Sequence, residues 1–279
     1  MAAKNASGLG VILTGELFGP VRKELVSLLE GLREEDWARP TAAVKWNVKD
    51  VALHILGGDI GNISRRRDAF SLQADLSSYQ KLVAFINEIN ASWVAAARRI
   101  SAPLLIDLLE HVGRQADEYF AGLDPFALGG PVSWAGTEPM PVWFDVAREY
   151  TERWHHQQQI RDATGRPGLY ERRVFEPVMD TLVRALPRVF RDVAAPDGTT
   201  VSLRLNGVLK KDWSLCKAQE WRLFEGGQDG SDTEVRIAAE NAWKIFTRGL
   251  RGADALACTE IRGNGVLGEK VLQTVAVIA

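Results

Sequence analysis

The stretch PVWFDVAREYTERWHHQQQIRDAT occupies residues 141–164 and is followed directly by Gly165-Arg166-Pro167-Gly168. Its apolar residues recur at the spacing of a helix, so it predicts one long helix. Clusters of glycine and proline end helices and often join domains, because glycine accepts a left-handed backbone and proline lacks an amide hydrogen. The stretch therefore predicts the last helix of an N-terminal domain at residues 1–166 and a second domain at residues 167–279.

Helical spacing also characterises the sequence upstream of this stretch. Asn47, a residue type that caps helix N-termini, precedes one apolar run, and Pro103 separates two others. The predicted helices cover residues 13–32, 48–67, 79–100, 104–120 and 141–164. Residues 122–141 are rich in glycine and proline and predict a long loop. The N-terminal half is thus predicted to be a helix bundle.

The periodicity of the sequence changes after residue 168. One more amphipathic helix is predicted over residues 171–193, and apolar residues then alternate with polar ones, as in strands that bury one face. The alternating runs, which we interpret as short antiparallel strands, are Val201-Leu203-Leu205, Trp213-Leu215, Trp221-Leu223 and Val235-Ile237. Helices at 239–250 and 267–277 flank a last strand near 257–261. The second half is therefore predicted to be a small α+β domain.

Composition and charge restrict the class of protein. Apolar residues make up 46% and charged residues 25% of the 279 residues, and the net charge of −2 lacks the basic excess of nucleic-acid-binding proteins. Cys216 and Cys258 are too few for a disulfide framework or a cysteine-ligated zinc cluster, which favours a reducing cytoplasm. No stretch approaches the roughly 20 apolar residues of a membrane span. We expect a cytoplasmic monomer or homodimer that binds neither nucleic acid nor membranes.

Three residues suggest a metal site. Glu152 and His156 are four residues apart on one predicted helix, so their side chains project from the same face. His54, on another predicted helix, can complete three sides of a tetrahedral site with one position open. His155 is turned about 100° from His156, so only one of the two is expected to face the site. The alternative is a solvated Glu–His pair and a structural histidine.

Two sequence motifs resemble those of a known family. Residues 46–54 (WNVKDVALH) and 152–163 (ERWHHQQQIRDA) are similar to the motifs of the DinB-like, mycothiol-dependent maleylpyruvate isomerase family. Looser similarity extends over most of the chain and includes residues 221–223, 242–245 and 263–279. The resemblance implies a DinB-like four-helix bundle followed by an α+β domain reminiscent of sterol-carrier folds. It also implies that His54, Glu152 and His156 bind a divalent metal, usually zinc, with His155 outside the site.

The resemblance further implies a thiol-dependent reaction. An open coordination position beside three protein ligands can hold a thiolate from a low-molecular-weight thiol such as mycothiol. In the isomerase this thiolate adds to a maleyl double bond, allows rotation and leaves, whereas in a related S-transferase it stays attached to an electrophilic substrate. The alternative is a non-catalytic, metal-containing protein whose α+β half sequesters an apolar small molecule.

Several other residues invite weaker interpretations. Asp50 and Gln158 are possible hydrogen-bond partners of the histidines, and Arg248 is a possible catalytic residue that binds a substrate carboxylate. The run Arg65-Arg66-Arg67 could contact an anionic cofactor, although a solvated helix face is favoured. The hexapeptide at residues 263–268 matches a dinucleotide-binding fingerprint, but the chain ends too soon after it for a βαβ unit. We expect a tight strand-to-helix turn there.

Overall fold

The computed structural model describes residues 8–70 and 72–276, which group into two compact units. One unit contains residues 13–128 and 141–169 and is helical. The other contains residues 8–12, 129–140 and 170–276 and carries the β-sheet. The segment 129–140 therefore groups with residues that follow it by at least thirty positions in the sequence.

The helical unit contains the predicted helices with adjusted ends. They are α1 (Phe18–Glu30), α2 (Val48–Asn62), α3 (Tyr79–Ala97), α4 (Ala102–Ala121) and α5 (Val142–Thr164). Helix α1 is shorter than predicted, because a 3-10 turn at Gly15–Leu17 precedes it and Leu13 is exposed. In the part of the chain that the structure describes, no helix is both long enough and apolar enough to cross a bilayer.

Helix α2 lies at the centre of this unit. It contacts α3, α4 and α5, and its apolar residues join a core that includes Leu29, Leu105 and Ile160. The helix begins as predicted at Asn47, whose side-chain oxygen accepts a hydrogen bond from the Asp50 amide at 2.9 Å. A π-helical turn, Ile63–Arg67, continues it.

Helix α5 ends at Gly165, as the sequence predicts. The residue has φ of 64°, and the Arg166 amide donates to the Arg161 carbonyl at 2.9 Å. This left-handed conformation costs glycine little, since glycine has no Cβ to clash with the backbone. The two predicted motifs thus belong to neighbouring, contacting helices, α2 and α5.

Among the described residues the second unit has five helices, of which four are shorter than predicted and the fourth in chain order was not predicted. They are α6 (Arg172–Leu182), α7 (Leu186–Phe190), α8 (Ala239–Phe246), α9 (Gly252–Ala257) and α10 (Gly265–Leu272). The single helix predicted over 171–193 is wrong, because a 3-10 turn at Val183–Ala185 separates α6 from α7. Pro187, in the first turn of α7, has no amide hydrogen and cannot continue the preceding hydrogen-bond pattern.

The sheet of this unit is mixed, and the prediction of purely antiparallel strands is wrong. Its strands are β1 (Thr200–Asn206), β2 (Lys211–Lys217), β3 (Trp221–Glu225), β4 (Thr233–Ala238) and β5 (Thr259–Gly263), in the order β3-β2-β1-β4-β5. Strands β1 and β4 are parallel. The connection from β3 to β4 crosses β2 and β1, where Ser214 and Ser202 donate to the carbonyls of Gly226 and Gln228.

The glycine-rich hexapeptide forms the turn between β5 and α10, as expected. Gly263 has φ of 88°, and a Cβ at this position would lie 2.1 Å from the Asp232 carbonyl oxygen. The Asn264 side chain caps α10 by accepting hydrogen bonds from the amides of Val266 and Leu267. Close backbone approach and helix capping therefore account for the residues at this turn.

Candidate metal centre

The structure places two of the three predicted metal ligands, His54 and His156, in contact, and the third, Glu152, lies beside His156. His54 on α2 and His156 on α5 face each other, with 3.1 Å between their Nε2 atoms. Glu152 lies one turn before His156, and its Oε2 is 3.5 Å from His156 Nε2. All three residues are intermediate between buried and exposed.

The surroundings of His54 keep its imidazole neutral. The Trp46 ring packs against it with 4.7 Å between centroids. Burial lowers the pKa of His54 well below its ordinary value, and the neighbouring His156 lowers that pKa further. A neutral imidazole is the form that binds metal ions, because a ring nitrogen then offers a lone pair.

His155 is closer to this group than the helical geometry suggested. Ligand atoms of Glu152, His155 and His156 all lie within 4.8 Å of one another, and the His155 and His156 rings are 4.6 Å apart. A rotation of about 100° along the helix therefore does not keep the rings of two successive residues apart. That only one of the two histidines binds a metal stays a prediction. His155 is buried, and burial lowers its pKa well below the ordinary value, with smaller contributions from His156 and His54.

Gln159 is the side chain that links the adjacent histidines. Its Oε1 is 3.0 Å from His156 Nδ1, and its Nε2 is 2.9 Å from His155 Nε2. Gln159 was not among the predicted site residues, although its spacing of three and four residues from the histidines was a usable signal. Asp50, proposed for this role, caps α2 and pairs with Arg98. Gln158, also proposed, donates to Asp162 and accepts from the Leu169 amide.

A buried network of charges joins α2 and α5 next to the histidines. Asp59 on α2 pairs with Arg153 on α5, and Glu149 accepts hydrogen bonds from Asn62, Arg66 and Arg148. Burial alone would raise the pKa of Glu149, but the surrounding arginines outweigh it and hold that pKa far below its ordinary value. The network fixes the two helices that carry the candidate ligands.

The arginine run at residues 65–67 divides between this network and the surface. Arg66 pairs with Asp145 and Glu149, whereas Arg67 is exposed and pairs with Asp68. Arg65 donates to Asn62. Two of the three side chains therefore have carboxylate partners within the protein, which supports a structural role for the run.

Arg248 and His111 belong to other parts of the chain. Arg248 follows α8 in the sheet-containing unit, with φ of 64°, and its amide donates to the Ile245 carbonyl. His111, the fourth histidine, is exposed on α4 and does not face the interior of the helical unit.

The chain is similar to one known family of proteins. The model of the family described as mycothiol maleylpyruvate isomerase N-terminal domain matches residues 18–161, about half of the chain. A crystal structure of the mycothiol-dependent maleylpyruvate isomerase matches with a TM-score of 0.50 and 12% identity, covering 86% of this chain and 89% of that chain. A mutant of that enzyme matches with a TM-score of 0.47 and 11% identity, covering 84% of this chain and 88% of that chain. Among curated proteins no significant match is found.

Proposed function

The chain belongs to the mycothiol maleylpyruvate isomerase N-terminal domain family, and from this premise we propose that it is a metal- and thiol-dependent enzyme. The proposed reaction is of the maleylpyruvate isomerase or thiol S-transferase type, on a small electrophilic substrate. The proposed thiol is mycothiol or an analogue. We further propose a cytoplasmic enzyme with a DinB-like four-helix bundle at residues 1–166 and a sterol-carrier-like domain at 167–279.

The spacing of the donor atoms is the observation that carries this proposal. In a tetrahedral zinc site with metal–nitrogen bonds of about 2.0–2.1 Å, neighbouring ligand atoms lie about 3.3–3.4 Å apart. The His54–His156 distance of 3.1 Å and the Glu152–His156 distance of 3.5 Å bracket this value. Two imidazoles and one carboxylate are also a ligand set that zinc accepts in catalytic sites. Two of the three ligand–ligand distances therefore suit a divalent metal, and we propose zinc; the ligand atoms that all lie within 4.8 Å of one another are those of Glu152, His155 and His156.

The protein's own residues would prepare the site in three ways. Trp46 and the buried surroundings keep His54 neutral and ready to coordinate. The Asp59–Arg153 pair holds α2 against α5, so that the ligands are already positioned before the ion binds. A bound ion would lower the pKa of a coordinating thiol, which supplies a nucleophile near neutral pH. The partial exposure of Glu152 and His156 supports access for that thiol.

Arg248 is proposed as a group that binds a substrate carboxylate. A guanidinium binds carboxylates bidentately, and Arg248 follows an amphipathic helix, α8. This role would raise KM in the Arg248→Ala variant while kcat changes less.

An activity assay tests the proposed function. Zinc-loaded protein is incubated with maleylpyruvate or a reactive electrophile, with and without mycothiol, and product is followed by chromatography. Turnover should require both the thiol and the metal, and it should be lost in His156→Ala but kept in His111→Ala, which changes an exposed histidine on α4. Undiminished turnover in the metal-free protein would reject the proposal. Binding of metal and an apolar ligand without turnover would favour the binding-protein alternative.

A further inference from the structure

We propose that Gln159 determines which of the two adjacent histidines binds the metal. Its side-chain oxygen would accept a hydrogen bond from Nδ1 of His156, and its side-chain NH2 group would donate one to Nε2 of His155. The first contact presents His156 Nε2 to the ion, and the second keeps His155 out of the coordination sphere. The inference rests on the proposed function, since it concerns the same site.

The contact with His156 fixes the position of the ring proton. An amide oxygen only accepts hydrogen bonds, so the 3.0 Å contact with Gln159 Oε1 favours the tautomer of His156 in which Nδ1 carries the proton and donates. In a neutral imidazole the other nitrogen then carries the lone pair. That nitrogen, Nε2, is the atom that faces His54 and Glu152. Gln159 thus selects the tautomer of His156 that the metal site requires.

The contact with His155 has the opposite effect. The amide nitrogen of Gln159 only donates, so His155 Nε2, at 2.9 Å, accepts this hydrogen bond with its lone pair. Coordination of an ion through Nε2 would require this hydrogen bond to break. His155 and Gln159 are both buried, where a lost hydrogen bond leaves polar groups that water does not reach easily.

The helix makes this double contact possible. Gln159 follows His155 by four residues and His156 by three, and both spacings place side chains next to each other on an α-helix. An amide carries one acceptor and one donor end, so a single glutamine can treat the two rings differently. A carboxylate would accept from both rings, and an apolar side chain would contact neither by hydrogen bonding. Gln159 is therefore a positioning residue that acts through the histidines.

Two substitutions separate these effects. Gln159→Glu keeps an acceptor for His156 but cannot donate to His155, and Gln159→Met has a similar length without either group. Gln158→Met serves as the control, because Gln158 is a buried glutamine of the same helix that contacts Asp162 and Leu169. The readouts are the ring tautomers in metal-free protein, from long-range proton–nitrogen NMR at neutral pH, and zinc affinity, from competition with a chelator.

The wild-type protein should carry the proton on Nδ1 of both His155 and His156. In Gln159→Glu, His155 should move its proton to Nε2 while His156 keeps its tautomer. In Gln159→Met, His156 should lose its single tautomer and the zinc Kd should rise by about 10- to 100-fold. The control should keep both tautomers and its zinc affinity.

A proton on Nε2 of His156 in the wild-type protein, or unchanged zinc affinity in Gln159→Met, would overturn the inference. Equal loss of affinity in Gln158→Met would also overturn it, because the effect would then be general to the helix. Absence of zinc binding in the wild-type protein would instead reject the proposed function. The tautomers of the metal-free protein would still decide the contacts made by Gln159.

Discussion

His54 and His155 are competing partners for His156, and substitution can distinguish them. Alanine at His54 or His156 should abolish binding of about one zinc ion per chain, because each removes one of three ligands. His155→Ala should keep the ion, since on our proposal the contact with Gln159, 2.9 Å from His155 Nε2, keeps His155 from binding it. Elemental analysis of purified, dialysed protein measures the metal content. Loss of metal in His155→Ala, with retention in His54→Ala, would make His155 the third ligand.

Sequence spacing predicted which residues meet at the candidate site but not all of their contacts. Glu152 and His156 share a helix face at any rotamer, so their proximity followed from their separation by four residues. The contacts of Gln159 and the approach of His155 depend on side-chain rotamers, which spacing does not specify. Spacing likewise did not predict that Asp50 accepts hydrogen bonds from Arg98 or that Gln158 donates to Asp162.

Helix α2 contains two adjacent glycines that should respond oppositely to alanine. A Cβ at Gly57 would lie 2.5 Å from the Trp93 ring, which is held by a hydrogen bond from Nε1 to the Leu53 carbonyl, whereas a Cβ at Gly58 would meet nothing within 4 Å. Gly57→Ala should therefore cost about 1–3 kcal/mol of unfolding free energy, because the indole must move. Gly58→Ala should raise the unfolding free energy by about 0.4–1 kcal/mol, because alanine favours the helix over glycine. Urea denaturation measures both, and equal effects would contradict the close α2–α3 contact.

The charge network between α2 and α5 should make stability depend on pH. Arginines hold the folded-state pKa of Glu149 below the ordinary value of 4.5, so its contribution to stability is present above that pH and is lost as the pH falls. Glu149→Gln should cost about 3–5 kcal/mol at pH 7. The difference in unfolding free energy between Glu149→Gln and the wild-type protein should shrink between about pH 5 and pH 3. Urea denaturation of metal-free protein measures it, and a constant difference would contradict the assigned ionisation.

The elements were predicted where local signals are strong. Helical periodicity, Asn47 and Gly165 located α2 and α5, because caps and apolar spacing act within one helix. The parallel pairing of β1 with β4 was missed, since it depends on the path of residues 226–232 across the sheet. Alternation of apolar residues reports a strand but not its neighbour.

At the scale of the whole molecule, the proposed boundary at residues 166 and 167 can be tested by limited proteolysis. Gly165, Arg166 and Pro167 are exposed, so subtilisin should cleave there early; trypsin is unsuitable because proline follows Arg166. The two fragments should still co-elute in gel filtration, because residues 129–140 group with the C-terminal unit. Mass spectrometry identifies the cut. Fragments that separate without denaturant would contradict that grouping.

The open coordination position is the central claim of the proposed function. Cobalt replaces zinc in the protein, and mycothiol, bacillithiol and glutathione are titrated in turn while the absorption spectrum is recorded. A thiol that enters the position beside His54, Glu152 and His156 ionises and becomes a sulfur ligand. The account predicts a new thiolate-to-cobalt absorption with at least one of these thiols. An unchanged spectrum with all three, together with a fourth protein ligand on the metal, would contradict it.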